Sequence, residues 1–383
     1  MKLLYVYEFS EAEPTLSSGD FLWNKTKVSL LKMSEDNKQN LKIDFACGLV
    51  RKHVDGGTSF SRLINFFWMH FVSFFKVAFY RPDNILVRTT PTLIQLPYIL
   101  WGKLFGAKVY LWLMDYHPVF GVRTTKQKSL KNYLWRFFDV LDCALLKHVT
   151  KVVCLDKAMS ELIHERTNGK VPTFICPTFS PNKVLFYDLA KDQAPVREVS
   201  LLYSGNLGRA HNTDLLELLL AKLSKTLKVK MSFCGKSKDA IERLKCLALR
   251  NGVDFEAYPF VENYSELGEF YKKNSFDYGI VLLNQELSGV VSPSKFSGYS
   301  SFGLPIVYIG PKNTNAYMLC EQFNAGVAVS SKVEIDKAVE IIKDSNSQGY
   351  FARNTQNSIE YFSSVAGEKL AEFLYKEIQR EGY

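Results

Sequence analysis

The sequence predicts an α/β protein in which two doubly wound parallel-sheet domains follow one another along the chain. Short apolar runs, such as residues 108–114 and 306–309, alternate with longer helical stretches, which is the pattern of a parallel sheet flanked by helices. Residues 177–195 contain three prolines and no clear periodicity, and the alternation resumes at Val199, so this stretch indicates a linker. A chain of 383 residues is long enough for two domains, each with its own core.

The predicted boundaries give an N-terminal domain at residues 1–185, a second domain at 196–355 and a C-terminal helix at 356–383. The first domain opens with a strand at residues 2–7, followed by a polar loop and a helix from Phe21. Loops that follow strands in such a sheet lie at its carboxyl edge, where ligands bind. We therefore expect functional residues in the loops after the strands of both domains.

One predicted helix, Phe60 to Tyr80, is apolar on nearly all sides. Such a helix is either buried in a core or lies against lipid. His70 and Lys76 interrupt it, so its uninterrupted apolar stretches are too short to cross a bilayer. We expect no membrane span and no signal peptide in the sequence. A core helix and an interfacial helix both remain open interpretations.

The net charge of +9 belongs entirely to the first half of the chain. Residues 1–195 contain 26 Lys and Arg against 17 Asp and Glu, whereas residues 196–383 contain 22 of each. This asymmetry suggests an anionic partner for the first domain, either a membrane surface or nucleic acid. Because no basic-aromatic strand pattern is present, we do not expect nucleic-acid binding. Seven scattered cysteines without a CxxC pair indicate a reducing, cytoplasmic compartment.

Polar and glycine-rich turns follow several predicted strands. Asp115 and His117 come directly after the strand at residues 108–114. In the second half, the loop Tyr203–Arg209 contains two glycines that let its backbone approach a ligand and an arginine suited to phosphate. Ser294 and Lys295 open a later helix, whose first turn favours an anion. The second-half loops share one sheet edge, so together they predict a phosphate site.

Several kinds of site are missing from the sequence. It contains no Asp-x-Asp, Walker A, HExxH or GxSxG motif, and its six histidines lack the spacing of metal ligands. We therefore expect no essential metal and no bound cofactor.

Five segments carry a resemblance to a known family: LLYSGNLGRAHNTDLLELL, KMSFCGK, DFEAYPFVENYSEL, FDYGIVLL and VVSPSKFSGYSSFGLPIVYIGP. Their order and spacing resemble the donor half of family 4 retaining glycosyltransferases of the GT-B fold, in the branch that builds bacterial polysaccharides. The similarity runs from about residue 80 to the C-terminus. It implies two Rossmann-like domains facing a central cleft, with the acceptor in the first, the nucleotide-sugar in the second, and the C-terminal helix packing back on the first domain.

The resemblance assigns roles to individual residues. The donor diphosphate would lie against Gly205, Asn206, Arg209, Ser294 and Lys295. Residues near the reacting centre would be Asp115 and His117, which would touch sugar hydroxyls or receive the acceptor's proton. The nucleobase would be bordered by Tyr258, Pro259 and Phe260. Contacts to the donor sugar or acceptor would come from Ser18, Gly19, Glu286, Ser288 and Gly289.

Two features of the sequence depart from the family pattern. Gly298 occupies the place where family members carry a ribose-binding carboxylate, and Glu286 is the nearest carboxylate to the place of the upstream acid. The family's Arg…Lys pair in the first donor loop is replaced by Asn206 and His211, so Arg209 would supply that charge from a shifted position.

The resulting hypothesis is a metal-independent retaining transferase that moves a sugar from a UDP-sugar to a glycan or polyprenyl-diphosphate-linked glycan. Capsule, O-antigen or exopolysaccharide synthesis would be its setting, at the inner face of the cytoplasmic membrane, with the basic first half on the anionic surface. Two alternatives stay open: a sugar-nucleotide epimerase of the same fold and a non-catalytic scaffold of a polysaccharide assembly complex.

Overall fold

The computed structural model describes residues 2–7, 18–37, 41–47, 59–89, 93–177, 198–208, 210–261, 264–344, 350–355, 358 and 368–379. The chain divides into two compact units. The first unit comprises Met1–Pro177, Gly289–Ser292 and Val365–Tyr383, and the second comprises Thr178–Ser288 and Pro293–Ser364. The predicted linker and both predicted domain boundaries fall largely or wholly outside the described residues.

Each unit contains a six-stranded sheet whose strands are all parallel. The strands of the first unit are β1 (Lys2–Tyr7), β2 (Lys42–Cys47), β3 (Asn84–Arg88), β4 (Lys108–Trp112), β5 (Lys151–Cys154) and β6 (Thr173–Ile175), in the order β2-β1-β3-β4-β5-β6. Those of the second are β7 (Glu198–Ser204), β8 (Lys228–Cys234), β9 (Asp254–Tyr258), β10 (Tyr278–Leu282), β11 (Ile306–Ile309) and β12 (Gly326–Val329), in the order β12-β11-β10-β7-β8-β9. The predicted α/β class with two doubly wound sheets is confirmed.

The helices alternate with these strands. They are α1 (Ser18–Asp36), α2 (Ser59–Tyr80), α3 (Gln95–Phe105), α4 (His117–Thr124), α5 (Leu130–Leu146), α6 (Lys157–Thr167), α7 (Asp214–Leu223), α8 (Lys238–Arg250), α9 (Tyr264–Asn274), α10 (Lys295–Ser301), α11 (Asn315–Glu321), α12 (Ile335–Lys343) and α13 (Leu370–Gln379). Short 3₁₀ turns lie at Gln285–Leu287 and Lys332–Glu334.

Local sequence explains where several helices begin. The side chains of Ser129, Asp156 and Ser237 each accept a hydrogen bond from the backbone N–H three residues ahead, at the starts of α5, α6 and α8. Such caps satisfy a donor that the first helical turn leaves without a partner. The left-handed conformation of Gly106 ends α3, as expected for a glycine just past a helix.

The order of the first sheet determines which side each helix covers. Helices α2, α3 and α5 connect β2 to β3, β3 to β4 and β4 to β5, always moving across the sheet in the same direction. Because such connections are right-handed, these helices cover one face of the sheet. The step from β1 to β2 runs the opposite way, which places α1 on the other face.

The C-terminal helix α13 packs on the first unit, as the fold class predicts. The ring of Phe373 stacks on Phe174 of β6 with centroids 4.3 Å apart. Lys151 of β5 donates to Glu377 of the same helix at 2.8 Å. An aromatic stack and a partly buried ion pair therefore hold the returning helix on this unit.

Two local features differ from the sequence expectations. Helix α1 begins at Ser18 rather than Phe21, so Ser18 and Gly19 lie in its first turn. An additional helix, α4, begins at His117, where only a turn was expected. Pro118 in its first turn favours this helix because the proline ring fixes φ near the helical value. Among the described residues, no helix is long and apolar enough to cross a membrane.

Candidate functional site

In the second unit, loops from three strands meet at the carboxyl edge of the sheet. The N–H of Gly205, after β7, donates to the carbonyl of Cys234 at the end of β8 at 2.7 Å. The N–H of Asn284, after β10, donates to the carbonyl of Ala210 at 2.8 Å. The expected convergence of these loops at one edge is therefore present in the geometry, as the parallel sheet requires.

Glycine is needed at the centre of this edge. Gly205 has φ +92°, a conformation that side chains rarely adopt, and an added Cβ would lie 3.3 Å from Cε of Lys295. A Cβ on Gly235 would lie 2.9 Å from the carbonyl oxygen of Gly205. The two glycines thus let the loops after β7 and β8 approach each other and the lysine closely.

Lys295 is the central charged group of this edge. Its Nζ donates to the carbonyl oxygen of Asn206 at 2.8 Å and to the phenolic oxygen of Tyr203. The ammonium also lies 3.9 Å from the centroid of the Tyr203 ring, within the range of a cation–π contact. Lys295 therefore has neutral partners that orient its ammonium without neutralising it.

Burial makes the charge on Lys295 costly. Desolvation lowers the pKa of Lys295 to about 7, because water can no longer solvate the ammonium. Among the residues that the structure describes, no carboxylate lies within ion-pair distance of it. A half-buried cation with hydrogen bonds but no counter-ion is chemically suited to bind an anion.

Two further nitrogen-bearing side chains lie near Tyr203. Nδ1 of His211 accepts a hydrogen bond from the N–H of Gly208 at 2.9 Å. Burial, followed by the charges of Lys295 and Arg243, lowers the pKa of His211 to about 4. The imidazole ring is therefore neutral near pH 7. Arg243, on α8, donates to Oγ1 of Thr213 at 2.9 Å, and its charge lowers the pKa of Tyr203 against the larger effect of burial. Sequence reasoning missed Arg243, which no motif marks.

Helix α10 is tied to the end of β7 by a buried tyrosine. The phenolic oxygen of Tyr299 accepts the N–H of Ser204 at 2.8 Å and donates to the carbonyl of Leu202 at 3.2 Å. Gly279 of β10 provides the space for this ring, since a Cβ there would lie 2.5 Å from it. Tyr299 thereby fixes the position from which Lys295 extends at the start of α10.

The proposed nucleobase segment follows β9 at the same edge. The carbonyl of Pro259 accepts from Sγ of Cys234 at 3.2 Å. Phe260 is 40% exposed, and Nζ of Lys236 lies 4.7 Å above its ring. Tyr258 packs edge-on against Phe270. The segment therefore presents the exposed ring of Phe260 just after β9, the strand next to β8. Its nucleobase role remains a prediction.

The remaining predicted donor residues are placed differently. Ser294 occupies the N-cap position of α10, while Arg209 lies outside the described residues. Glu286 is exposed on the 3₁₀ turn after β10. A Cβ on Gly298 would meet nothing within 4 Å, so packing does not explain why a carboxylate is missing there.

In the first unit, Asp115 and His117 lie in the turn after β4. Burial raises the pKa of Asp115 to about 6 and lowers that of His117, so near pH 7 the first is a carboxylate and the second a neutral imidazole. The predicted pair thus combines an acceptor of protons with a group able to donate or accept hydrogen bonds. Its catalytic role remains a prediction.

Tyr116, between these residues, anchors the turn. Its hydroxyl donates to Asp142 at 2.6 Å and accepts from Nε of Arg166 at 3.0 Å. Gln95 donates to the same buried Asp142 at 3.0 Å, and Arg166 pairs with Asp139 at 2.7 Å. Because every charged member of this network has a partner, the network holds the turn in place instead of attracting a ligand.

The segment Gly289–Ser292, which belongs to the first unit, packs on the same turn. The N–H of Tyr116 donates to the carbonyl of Val290 at 2.8 Å, and Val291 forms a β-bridge with Asp115. Gly289 has φ +73° and would clash with the carbonyl of Ala158 if it carried a Cβ. This segment, which directly precedes Pro293–Ser294–Lys295, is therefore fixed by backbone contacts; Ser288 lies just before it.

The remaining predicted residues of the first unit are Ser18 and Gly19. They lie in the first turn of α1, and the side chain of Ser18 is outside the described residues. Among the described residues, no group of three or more His, Cys, Asp or Glu is arranged to hold a metal ion.

Comparison with known proteins identifies the architecture. No family model matches the sequence, and no curated protein is recognisably similar to it. Solved structures do match over the full length. HepE from Anabaena in complex with UDP-glucose superposes with TM-score 0.60 at 10% identity, covering 99% of both chains. Sucrose-phosphate synthase from Thermosynechococcus elongatus gives TM-score 0.64 at 10% identity, covering 99% of this chain and 98% of the other.

A third match is the lipopolysaccharide outer core galactosyltransferase WaaB, with TM-score 0.58, 12% identity, and coverage of 95% of this chain and 100% of the other. All three neighbours are glycosyltransferases of the GT-B type. The fold is GT-B. At such low identity the likeness establishes the architecture, and the chemistry must be argued from the residues of this chain.

Proposed function

We propose that this chain is a glycosyltransferase that binds the diphosphate of a nucleotide-sugar at the Lys295 edge of its second unit. The observation that carries the proposal is the half-buried ammonium of Lys295, which contacts Tyr203 and Asn206 and has no carboxylate partner among the described residues. A diphosphate supplies the missing negative charge. The UDP and UDP-glucose complexes of HepE support a nucleotide-sugar as the donor.

Transfer breaks the bond between the anomeric carbon and a diphosphate oxygen and forms a bond to an acceptor hydroxyl. Negative charge grows on the departing diphosphate, and a preorganised cation in a desolvated setting stabilises that charge. Lys295 would do this together with Arg209 and the Ser294 hydroxyl, so no metal ion would be required. We infer retention of the anomeric configuration from the family resemblance and assign no nucleophile.

In the first unit, we infer that Asp115 and His117 contact the donor sugar or the acceptor. A carboxylate whose pKa is raised to about 6 can accept the proton that the acceptor hydroxyl loses, because its pKa lies near the operating pH. The proposed acceptor is a glycan or a polyprenyl-diphosphate-linked glycan of a cell-surface polysaccharide. A lipid-linked acceptor agrees with the excess positive charge of the first half and places the protein at the cytoplasmic membrane surface.

A panel of UDP- and GDP-sugars tests the proposal. Incubation with the full-length protein should release nucleotide from one donor by slow hydrolysis, and Lys295→Ala should abolish that release. An isomerised sugar would instead identify an epimerase, and the absence of nucleotide binding would identify a scaffold. Lys238→Ala, an exposed lysine of the same unit, serves as the matched control and should release nucleotide at the wild-type rate.

A further inference from the structure

Exposed apolar side chains are concentrated on one helical layer of the first unit. Of the 21 large hydrophobic side chains that are exposed among the described residues, 14 belong to α2, α3 and α5. These three helices cover the same face of the first sheet, so the exposed side chains lie on the outer surface of one layer. Such a concentration marks an interaction surface, because scattered exposure would be spread over both units.

Helix α2 contributes an aromatic row. Phe67, Phe71, Phe75 and Phe79 follow one another at intervals of four residues, with Trp68 beside them, and all five are 40–79% exposed. Phe75 stacks on Phe79 with centroids 5.7 Å apart. A shallow groove of about 520 Å³ runs along Phe71, Phe75 and Phe79.

Helix α5 contributes a second row at helical spacing. Its exposed members are Leu130, Tyr133, Leu134, Phe137, Val140 and Leu141. Helix α3 lies between the two rows. The ring of its Trp101 is 5.0 Å from Phe74 of α2, and its Gln95 donates to Asp142 of α5 at 3.0 Å. We call the exposed side chains of α2, α3 and α5 the apolar face.

The stretch of chain that contains the apolar face also contains most of the net positive charge. Residues 59–147 contain twelve Lys and Arg but four Asp, a net +8 out of the +9 of the whole sequence. Of the aspartates, Asp142 is buried and Asp139 is paired with Arg166. Lys126 and Lys128, which precede α5, and Lys131 in its first turn are exposed. None of the three pairs with a carboxylate among the described residues. The surface therefore combines apolar rows with uncompensated positive charge.

We propose that the apolar face is the surface by which this protein lies on an anionic phospholipid bilayer. Aromatic and aliphatic side chains enter the boundary between headgroups and acyl chains, while lysines bind anionic headgroups. The proposal deepens the proposed function, on which it rests for the identity of a lipid-linked acceptor, by specifying the residues that contact the membrane. Binding of vesicles by itself requires no sugar transfer.

Charge decides between a bilayer and a second copy of the chain. A two-fold dimer through the apolar face would bring two surfaces of the same strongly positive sign together, and like charges at an interface are repulsive. An anionic bilayer removes this repulsion and covers both apolar rows at once. Charge complementarity therefore favours lipid.

The test is co-sedimentation of the full-length protein with vesicles of phosphatidylcholine alone or mixed with phosphatidylglycerol. We expect binding to the mixed vesicles and weaker binding as salt is added. Phe71→Gln, Phe75→Gln and Phe79→Gln combined should weaken binding by more than about tenfold, since each ring loses its apolar contact. Lys126→Gln with Lys131→Gln should weaken it by about fivefold per lysine.

Matched controls lie on the second unit. Leu218→Gln, Leu249→Gln and Val333→Gln combined replace exposed apolar side chains and should bind vesicles like the wild type. Lys238→Gln with Lys245→Gln is the corresponding charge control. Circular dichroism and thermal unfolding verify that each variant is folded. No binding to either vesicle, or equal binding by the Phe variants and their controls, would overturn the proposal.

Fluorescence provides an independent check on geometry. Trp68 is 44% exposed on the apolar face, so brominated phospholipid in mixed vesicles should quench tryptophan emission in the wild type and much less in Trp68→Phe. Equal quenching in both proteins contradicts insertion of this face. If the Phe variants abolish self-association in solution without altering vesicle binding, the surface is a dimer interface and the proposal fails.

These outcomes are separable from those of the nucleotide-sugar panel. Vesicle binding without nucleotide binding would refute the proposed transferase and leave the membrane surface standing. Nucleotide release without vesicle binding would refute the proposed membrane surface and leave the proposed transferase standing.

Discussion

The Tyr116 network of the first unit and Lys295 of the second unit differ in how their charges are compensated. In the first unit, the hydroxyl of Tyr116 bridges Asp142 and Arg166, and Arg166 also pairs with Asp139. In the second, the ammonium of Lys295 contacts a phenol and a carbonyl and no carboxylate among the described residues. Both arrangements bury charged groups, but the first contains charges of both signs, whereas Lys295 has no opposite charge beside it among the described residues.

This difference separates structural positioning from ligand binding. Buried charge is stable when its partners lie within the protein, as around Tyr116. Where the internal partner is absent, the pKa shifts, as burial lowers that of Lys295 to about 7, and an external ion restores the balance. A perturbed pKa together with converging loops is a functional signal, and the same shift inside a satisfied network is not.

The largest effect should come from removing the unbalanced charge. Lys295→Ala takes away the cation that faces the departing diphosphate, so transfer should fall by about 100-fold or more. Initial rates of nucleotide release measure this effect, with Lys238→Ala as the control. Wild-type rates in Lys295→Ala would show that the charge of Lys295 has no part in the reaction.

The pH dependence of nucleotide binding tests the same charge without removing it. A diphosphate binds the protonated lysine, whose pKa in the free protein is about 7. Affinity should therefore be highest on the acidic side and fall, by at most about tenfold per pH unit, as pH rises through that value. Calorimetry in buffers of different ionisation enthalpy should detect proton uptake on binding above the pKa.

The matching control is Lys295→Met, which keeps an apolar chain of similar length and has no titrating group. Its affinity should be lower and should lose this dependence. An affinity that rises with pH through neutrality in the wild type would contradict the assignment.

Mutation of the Tyr116 network should lower stability and turnover without changing nucleotide affinity. Tyr116→Phe leaves Asp142 and Arg166 each short of one hydrogen bond, which should lower the free energy of unfolding by about 1–3 kcal/mol. Because Tyr116 anchors the turn of Asp115 and His117, kcat should fall while nucleotide affinity stays at the wild-type value. Chemical denaturation and steady-state kinetics measure the two effects, with the exposed Tyr133→Phe as the control.

The smallest effect should come from adding a carboxylate at Gly298, where the family resemblance leads us to expect one. An added Cβ at Gly298 meets open space, so Gly298→Glu should fold normally. If the resemblance to family 4 extends to ribose recognition, the new carboxylate should strengthen binding of UDP by the few-fold expected of one hydrogen bond. Gly298→Gln is the control for charge. Weaker binding in Gly298→Glu than in Gly298→Gln would show that the ribose lies elsewhere.

Much of the fold follows from local sequence. Apolar runs such as Ile306–Ile309 predict buried parallel strands, and the glycines of the Tyr203–Arg209 loop predict close backbone approach. The long helix at Phe60–Tyr80 is confirmed as α2, Ser59–Tyr80. Its dual interpretation could not be decided from periodicity, because exposure depends on which neighbouring helices cover it.

The candidate site was only partly predictable. Ser294 and Lys295 were found through their motif, but the contact of Lys295 with Tyr203 joins residues 92 positions apart. The pKa shifts of Lys295 and Asp115 arise from tertiary burial, which no local pattern encodes. Arg243 and Tyr116 were missed for the same reason: their partners Thr213 and Asp142 lie 30 and 26 residues away along the chain.

The central claim is that Lys295 forms the diphosphate site, and the most direct measurement is calorimetric titration of the wild type and Lys295→Met with uridine, UMP and UDP. We predict that UDP binds the wild type much more tightly than UMP or uridine and that Lys295→Met removes most of this preference while binding uridine equally well. If the three ligands bind the wild type with equal affinity, or if the preference for UDP survives in Lys295→Met, the claim is wrong.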